Sequence, residues 1–226
     1  RLVAAASRAR VKRFIYLSTA HVYSSTLVGN ITERTCPRNL HPYATSHLSG
    51  EYAVLEAGRT GEFESTVLRL SNAYGVPVHR DVNCWKLLVN DLCKQAVKSR
   101  KLVLHSNGQQ ERDFIELSKV CRVVEQLLLS NREARGTGIF NVGSGNSCSV
   151  LEMAKIIQNR CVAILGFEPD IQVGELRDVD CGRLYYQVDR LAELEITHDC
   201  TDGISEIDYL LRYCDSIFRL SERSHS

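Results

Sequence analysis

The 226-residue chain has no apolar run approaching the ~20 residues needed to span a bilayer, and its opening stretch has too short an apolar segment for a signal peptide. It also lacks an excess of either charge. The 28 Lys and Arg face 27 Asp and Glu, a formal net charge of +1, so no global field recruits nucleic acid or an anionic membrane. No basic patch is interleaved with aromatics; the short basic run Lys94, Lys98, Arg100 and Lys101 reads as a solvated face. Neither nucleic acid nor membrane is expected as a partner. The seven histidines show no His-Glu-x-x-His or other metal spacing, so no metal site is expected. The nine cysteines contain no Cys-x-x-Cys pair. A chain this long does not need disulfide staples, and the thiols read as reduced, which points to a cytoplasmic setting. Internal repeats and low-complexity tracts are absent.

What is present is ordinary globular composition, 44% hydrophobic and 24% charged, enough for one large domain or two small ones. Short apolar runs at residues 14–17, 65–70 and 139–142 suit buried parallel strands. Between them lie helical patterns at 2–9, 42–55, 84–98 and 120–129. Pro42 opens one helix where its missing N–H costs nothing. Ser149 and Glu152 form a capping box that starts another, running to about residue 160, and a final helix spans roughly 205–218. Strands alternating with helices through short links predict a largely parallel α/β sheet. The chain opens at Arg1 without Met, and residues 1–17 read as the end of a unit already under way, so a preceding portion is expected.

Ligands in such sheets bind outside the carboxyl ends of the strands. Three polar clusters stand there: Ser18-Thr19, Ser71-Asn72 and Gly143-Ser144-Gly145. A hydroxyl at a strand end can hydrogen-bond a substrate oxygen, or it can serve only as a turn residue. Tyr43 and His47 lie four apart and share a helix face, which suits either one ligand or an amphipathic surface. A phenol works as acid/base only if its phenolate is stabilised, since its free pKa is about 10.

Taken together, Ser18-Thr19-Ala20-His21-Val22-Tyr23 and Tyr43-Ala44-Thr45-Ser46-His47 resemble the active-site motifs of the extended short-chain dehydrogenase/reductase superfamily, in its NAD-dependent epimerase/dehydratase group acting on nucleotide sugars. That pattern is Ser-Ser/Thr-x-x-Val-Tyr followed by Tyr-x-x-x-Lys. The likeness continues in order through the segments 68–75, 112–115 and 139–145, and loosens over the last 60 or so residues. It implies a partial Rossmann-like sheet, doubly wound and mostly parallel, with a smaller α/β substrate-binding subdomain. The sheet domain would take residues 1–72 and 113–145, and the subdomain 73–112 and 146–226.

The resemblance also implies roles. Thr19 would hydrogen-bond the sugar oxygen that becomes a carbonyl, and Tyr43 would be the general acid/base, with His47 beside it. Ser18, Tyr43, His47 and Ser71 would face the cofactor, NAD or NADP. Thr19, Asn72 and Arg112 would contact a nucleotide-diphosphate sugar, with Arg177 as a further diphosphate candidate; a planar, always-charged guanidinium suits that task. Homodimers are usual in the family.

Two departures stand out. His47 occupies the place of a Lys whose charge lowers the Tyr pKa, and an imidazole neutral at pH 7 supplies much less. None of the 14 glycines forms the Gly-x-x-Gly-x-x-Gly dinucleotide loop, which places backbone against a pyrophosphate at a helix N-terminus. Gly143-Ser144-Gly145 reads as a tight strand-to-helix turn. Dehydratase relatives carry Asp-Glu after the Thr; Ala20-His21 here favours a 4-epimerase or 4-ketoreductase. The alternative is a nucleotide-sugar binding or regulatory module that has lost catalysis.

Overall fold

A computed structural model describes residues 1–129, 138–175, 182–194 and 204–218. The elements run α1 (Leu2–Arg8), β1 (Arg13–Thr19), a 3-10 turn (Ala20–Val22), β2 (Gly29–Ile31), α2 (Pro42–Arg59), β3 (Glu64–Leu70), β4 (Asn72–Tyr74), α3 (Leu88–Ser99), β5 (Lys101–Leu104), β6 (Glu111–Glu116), α4 (Leu117–Leu129), β7 (Gly138–Val142), β8 (Ser147–Ser149), α5 (Val150–Leu165), β9 (Asp170–Val173), β10 (Leu184–Tyr186), α6 (Asp189–Ala192) and α7 (Ile204–Phe218).

The main sheet has the order β1-β3-β7, all parallel. Successive side chains of a strand point to opposite faces, and the packing follows that period. Phe14, Tyr16, Val67 and Ile139 join the α2 face, with Val54 and Ala57. Ile15, Leu68, Phe140 and Val142 join the α4 face, with Val120, Val123 and Leu127. Helices on both faces make the sheet doubly wound, as the family resemblance implies, and its strands are parallel, as the apolar runs predict. The central strand, β3, is covered on both sides and buried from Ser65 to Arg69. β1 pairs only with β3 among the described residues, and Leu17 on it is 46% exposed.

α2 lies close on the sheet because two of its positions carry no side chain. A Cβ at Gly50 would strike the Tyr16 ring, and one at Gly58 would strike the Ser65 hydroxyl. A second core gathers α3, β5, α5 and α7 around Leu92, Leu102, Ile157, Leu210 and Leu211. The Ser149–Glu152 capping box forms as expected. The helix expected over 84–98 begins at Leu88, with residues 84–87 in turns. The short strands β2, β4, β8, β9 and β10 were not expected. β9 alternates Asp170, Ile171, Gln172 and Val173, but it is only four residues long and largely exposed, so it gives a weak strand signal before it pairs with β5.

A buried polar network ties α2 to the sheet. Arg69 donates to both carboxylate oxygens of Glu51, at 2.6 to 3.2 Å, and the two side chains are 3% and 1% exposed. Burial works against the Arg69 charge, but Glu51 and Tyr23 beside it outweigh that and raise its pKa. The guanidinium also lies over the Tyr23 ring, 4.7 Å from its centroid. Tyr23 and Tyr186 both donate to Asn141 Oδ1, at 2.6 and 3.1 Å. Tyr23 and Asn141, both in the family-like motifs, therefore hold the core together. Among the described residues no helix is long and apolar enough to cross a membrane.

Candidate active site

The parallel register of β1 and β3 aligns Thr19 with Leu70, so Ser18-Thr19 and Ser71-Asn72 emerge side by side at the carboxyl ends. α2 begins above them, and β6 brings Arg112 from the far side. Ser18, Thr19, Tyr43, Ser71, Asn72 and Arg112 line one cavity of about 570 Å³. His47 stands behind Tyr43 and is not part of that lining. Arg177 lies outside the described residues.

Each polar group has a defined state. Ser18 Oγ donates to Glu51 Oε1 at 2.5 Å, so its proton is turned inward and its lone pairs are left for the cavity. Thr19 caps the 3-10 turn, its Oγ1 accepting the His21 N–H at 3.2 Å, and its hydroxyl proton remains available to a ligand. Tyr43, on the first turn of α2, is 50% exposed. The His47 ring stands edge-on to the Tyr43 ring with centroids 4.6 Å apart. His47 Nδ1 is buried and makes no hydrogen bond to the described residues. Asn72 Nδ2 is committed to the Asp113 carbonyl at 2.9 Å, which leaves its Oδ1.

Arg112 donates to Gln110 Oε1 at 2.9 and 3.3 Å. Burial lowers its pKa, yet a guanidinium keeps its charge at any physiological pH. No ion pair to a described carboxylate joins it. A partly desolvated guanidinium in a cavity wall has the chemistry to pair with an anion. Lys86 lines the same cavity and was not anticipated. It sits in an irregular stretch before α3, where spacing gives no cue. His21 and His41 also line the cavity. Burial, reinforced by Arg112 and His41, lowers the His21 pKa, so this imidazole is neutral at pH 7. Among the described residues no His, Cys, Asp and Glu group could hold a metal.

The Gly143-Ser144-Gly145 turn offers no phosphate cradle. A Cβ at Gly143 would meet Asp113 Oδ1 and the Tyr186 ring, so the protein itself already fills that approach. Ser144 donates to buried Asp113 through its backbone N–H and its hydroxyl, both at 2.9 Å. Burial raises the Asp113 pKa, opposed by the hydroxyls of Ser71 and Ser144 and by the backbone of the turn. The described residues thus supply no glycine cradle for the pyrophosphate of a dinucleotide.

Residues 1–143 match the model of the NAD dependent epimerase/dehydratase family. A dTDP-D-glucose 4,6-dehydratase of Bos taurus is 30% identical over 154 residues, 68% of this chain and 41% of that protein. A dTDP-L-rhamnose 4-epimerase of Burkholderia thailandensis is 29% identical over 156 residues, 69% of this chain and 41% of its own length. The chain thus spans about two fifths of the length of these relatives. Among solved structures, UDP-glucuronic acid 4-epimerase from Bacillus cereus, in complex with UDP-glucuronic acid and NAD, superimposes with a TM-score of 0.72 at 23% identity. That match covers 94% of this chain and 65% of the other, and it supports the fold.

Proposed function

The chain belongs to the NAD dependent epimerase/dehydratase family, and from that premise we propose that it forms the substrate-facing half of a nucleotide-sugar 4-epimerase or 4-ketoreductase. The observation that carries this reading is the meeting of Thr19, Tyr43 and Arg112 in one cavity. Thr19 and Tyr43 would bracket a carbinol oxygen, while Arg112 and Lys86 would hold a diphosphate on the other side. The sheet unit (residues 1–72 and 113–145) would hold the cofactor side, and the second unit (73–112 and 146–226) the nucleotide.

NAD, or NADP, when bound, supplies reversible two-electron chemistry at the substrate carbon. The protein's part is proton transfer and orientation. Thr19 donates a hydrogen bond to the reacting oxygen. Tyr43 takes the hydroxyl proton as the carbonyl forms and returns it as the carbonyl is reduced, so no second acid/base is needed at that carbon. Ser18 and Ser71 line the nicotinamide side. Ala20 and His21 supply no carboxylate for the loss of water, which supports epimerase or reductase over dehydratase chemistry.

The test is a substrate screen on the whole protein with UDP and dTDP sugars, following nicotinamide absorbance and product stereochemistry. Turnover that yields an inverted or reduced C4 supports the reading, and a dehydrated product overturns it. Arg112→Gln should weaken UDP or dTDP binding by roughly tenfold or more, since a charge-assisted hydrogen bond is lost; calorimetry checks this. His47→Lys should raise turnover roughly tenfold near neutral pH, because a cation beside the phenol lowers its pKa by about 1–3 units. If His47→Lys gains activity from a wild type with almost none, the favoured state of the natural chain is the binding or regulatory module.

A further inference from the structure

The helix that carries Tyr43 starts on an uncommon group. His41 is the N-cap of α2, with φ −60° and ψ 137°, and its ring Nδ1 accepts the Tyr43 backbone N–H at 3.2 Å. Because Pro42 has no N–H, Tyr43 carries the first free donor of this 18-residue helix. Ser, Thr, Asp and Asn ordinarily fill the cap, and their oxygens accept across the neutral range. An imidazole nitrogen accepts only while unprotonated. Imidazolium would set N–H against N–H, with a positive charge at the positive end of the helix dipole.

His41 is itself held. Its backbone N–H donates to Asn39 Oδ1 at 3.0 Å, and Asn39 Nδ2 donates to the His21 carbonyl at 2.7 Å. Asn39 therefore links the turn that follows Thr19 to the first turn of α2. The ring is the one side chain of this linkage that loses its acceptor when it takes up a proton.

We propose that His41 is a positioning residue for Tyr43: unprotonated, it fixes the first turn of α2 so that the phenol faces Thr19 across the cavity, and on protonation it releases that turn. The charged and titratable groups around the cavity beside it are His21 from the turn after β1, Lys86 before α3 and Arg112 on β6, with Tyr43 on its own helix. Among the described residues no carboxylate lines the cavity to hold a protonated His41 in place through an ion pair. The sign follows: the cap is present while the ring is unprotonated and is lost once it is protonated.

The experiment is a titration of the 15N-labelled protein, following the His41 ring nitrogens and the Tyr43 amide together. Exchange protection of the Tyr43 amide, corrected for intrinsic rate, should fall about tenfold with the His41 midpoint, the scale of a lost cap, while Val54 in mid-helix keeps its protection. His41→Ser should hold Tyr43 protection level across the same range. A Tyr43 amide that ignores the His41 titration, or follows His21 or His47 instead, overturns the proposal. So does a pH dependence that survives in His41→Ser. The catalytic consequence rests on the acid/base role proposed for Tyr43: His41→Ser should remove the acid limb of the kcat profile set by that midpoint. An intact exchange effect with no turnover in either protein would overturn the role of Tyr43, and leave the positioning by His41 standing.

Discussion

Tyr43→Phe should lower kcat by about 10²–10⁴, the usual worth of a positioned general acid/base, and leave nucleotide-sugar affinity nearly unchanged. The substitution removes one oxygen and keeps the ring that packs edge-on against His47, with centroids 4.6 Å apart. Tyr43 is half exposed to the cavity, so its loss leaves no buried polar group stranded and the fold should be unaffected. Single-turnover measurement of the nicotinamide signal, set beside the calorimetric affinity, separates the two effects. Unchanged turnover would take the phenol out of the mechanism.

Glu51→Ala should be the most damaging single change to stability. It leaves the Arg69 guanidinium in the core without its carboxylate and strips the Ser18 hydroxyl of its acceptor. Breaking a buried ion pair from one side costs about 3–5 kcal/mol, set against a total stability of about 5–15 kcal/mol for a typical domain. Denaturant unfolding should show the loss directly. Glu51→Leu combined with Arg69→Met should recover most of it, because neither charge is then buried alone. A loss below about 1 kcal/mol for Glu51→Ala would place the pair outside the forces that hold α2 to the sheet.

Much of this was legible in the sequence, for physical reasons. Val67 and Leu68 sit in a short apolar run because β3 is covered on both faces, and a run of that kind marks a buried parallel strand. Ser149 and Glu152 declare their helix start because capping needs those atoms at that spacing. Thr19, Tyr43 and Arg112 could be singled out through motifs, but only the register of β1 against β3 and the path of β6 bring them to one cavity. Other features left no local signal. Lys86 resembles any exposed lysine until the chain folds it over the cavity. His41 precedes a proline, and nothing in its neighbours says that its ring takes the place of an oxygen. Tyr23 and Asn141 belong to motifs that suggest a site, yet their side chains are spent inside the core. β9 forms by pairing with β5, and its single polar-apolar alternation over four residues is too short to mark a strand.

Among the described residues the outer side of β1 has no strand partner, and that carries a consequence for assembly. Its main-chain amides and carbonyls point outward with Leu17 beside them, and Arg13, the one charged side chain on the strand, is occupied by Glu64 at 2.6 Å. Unpaired main-chain groups of this kind can accept a further extended segment. The described sheet is thus left with a place for a further strand beside β1.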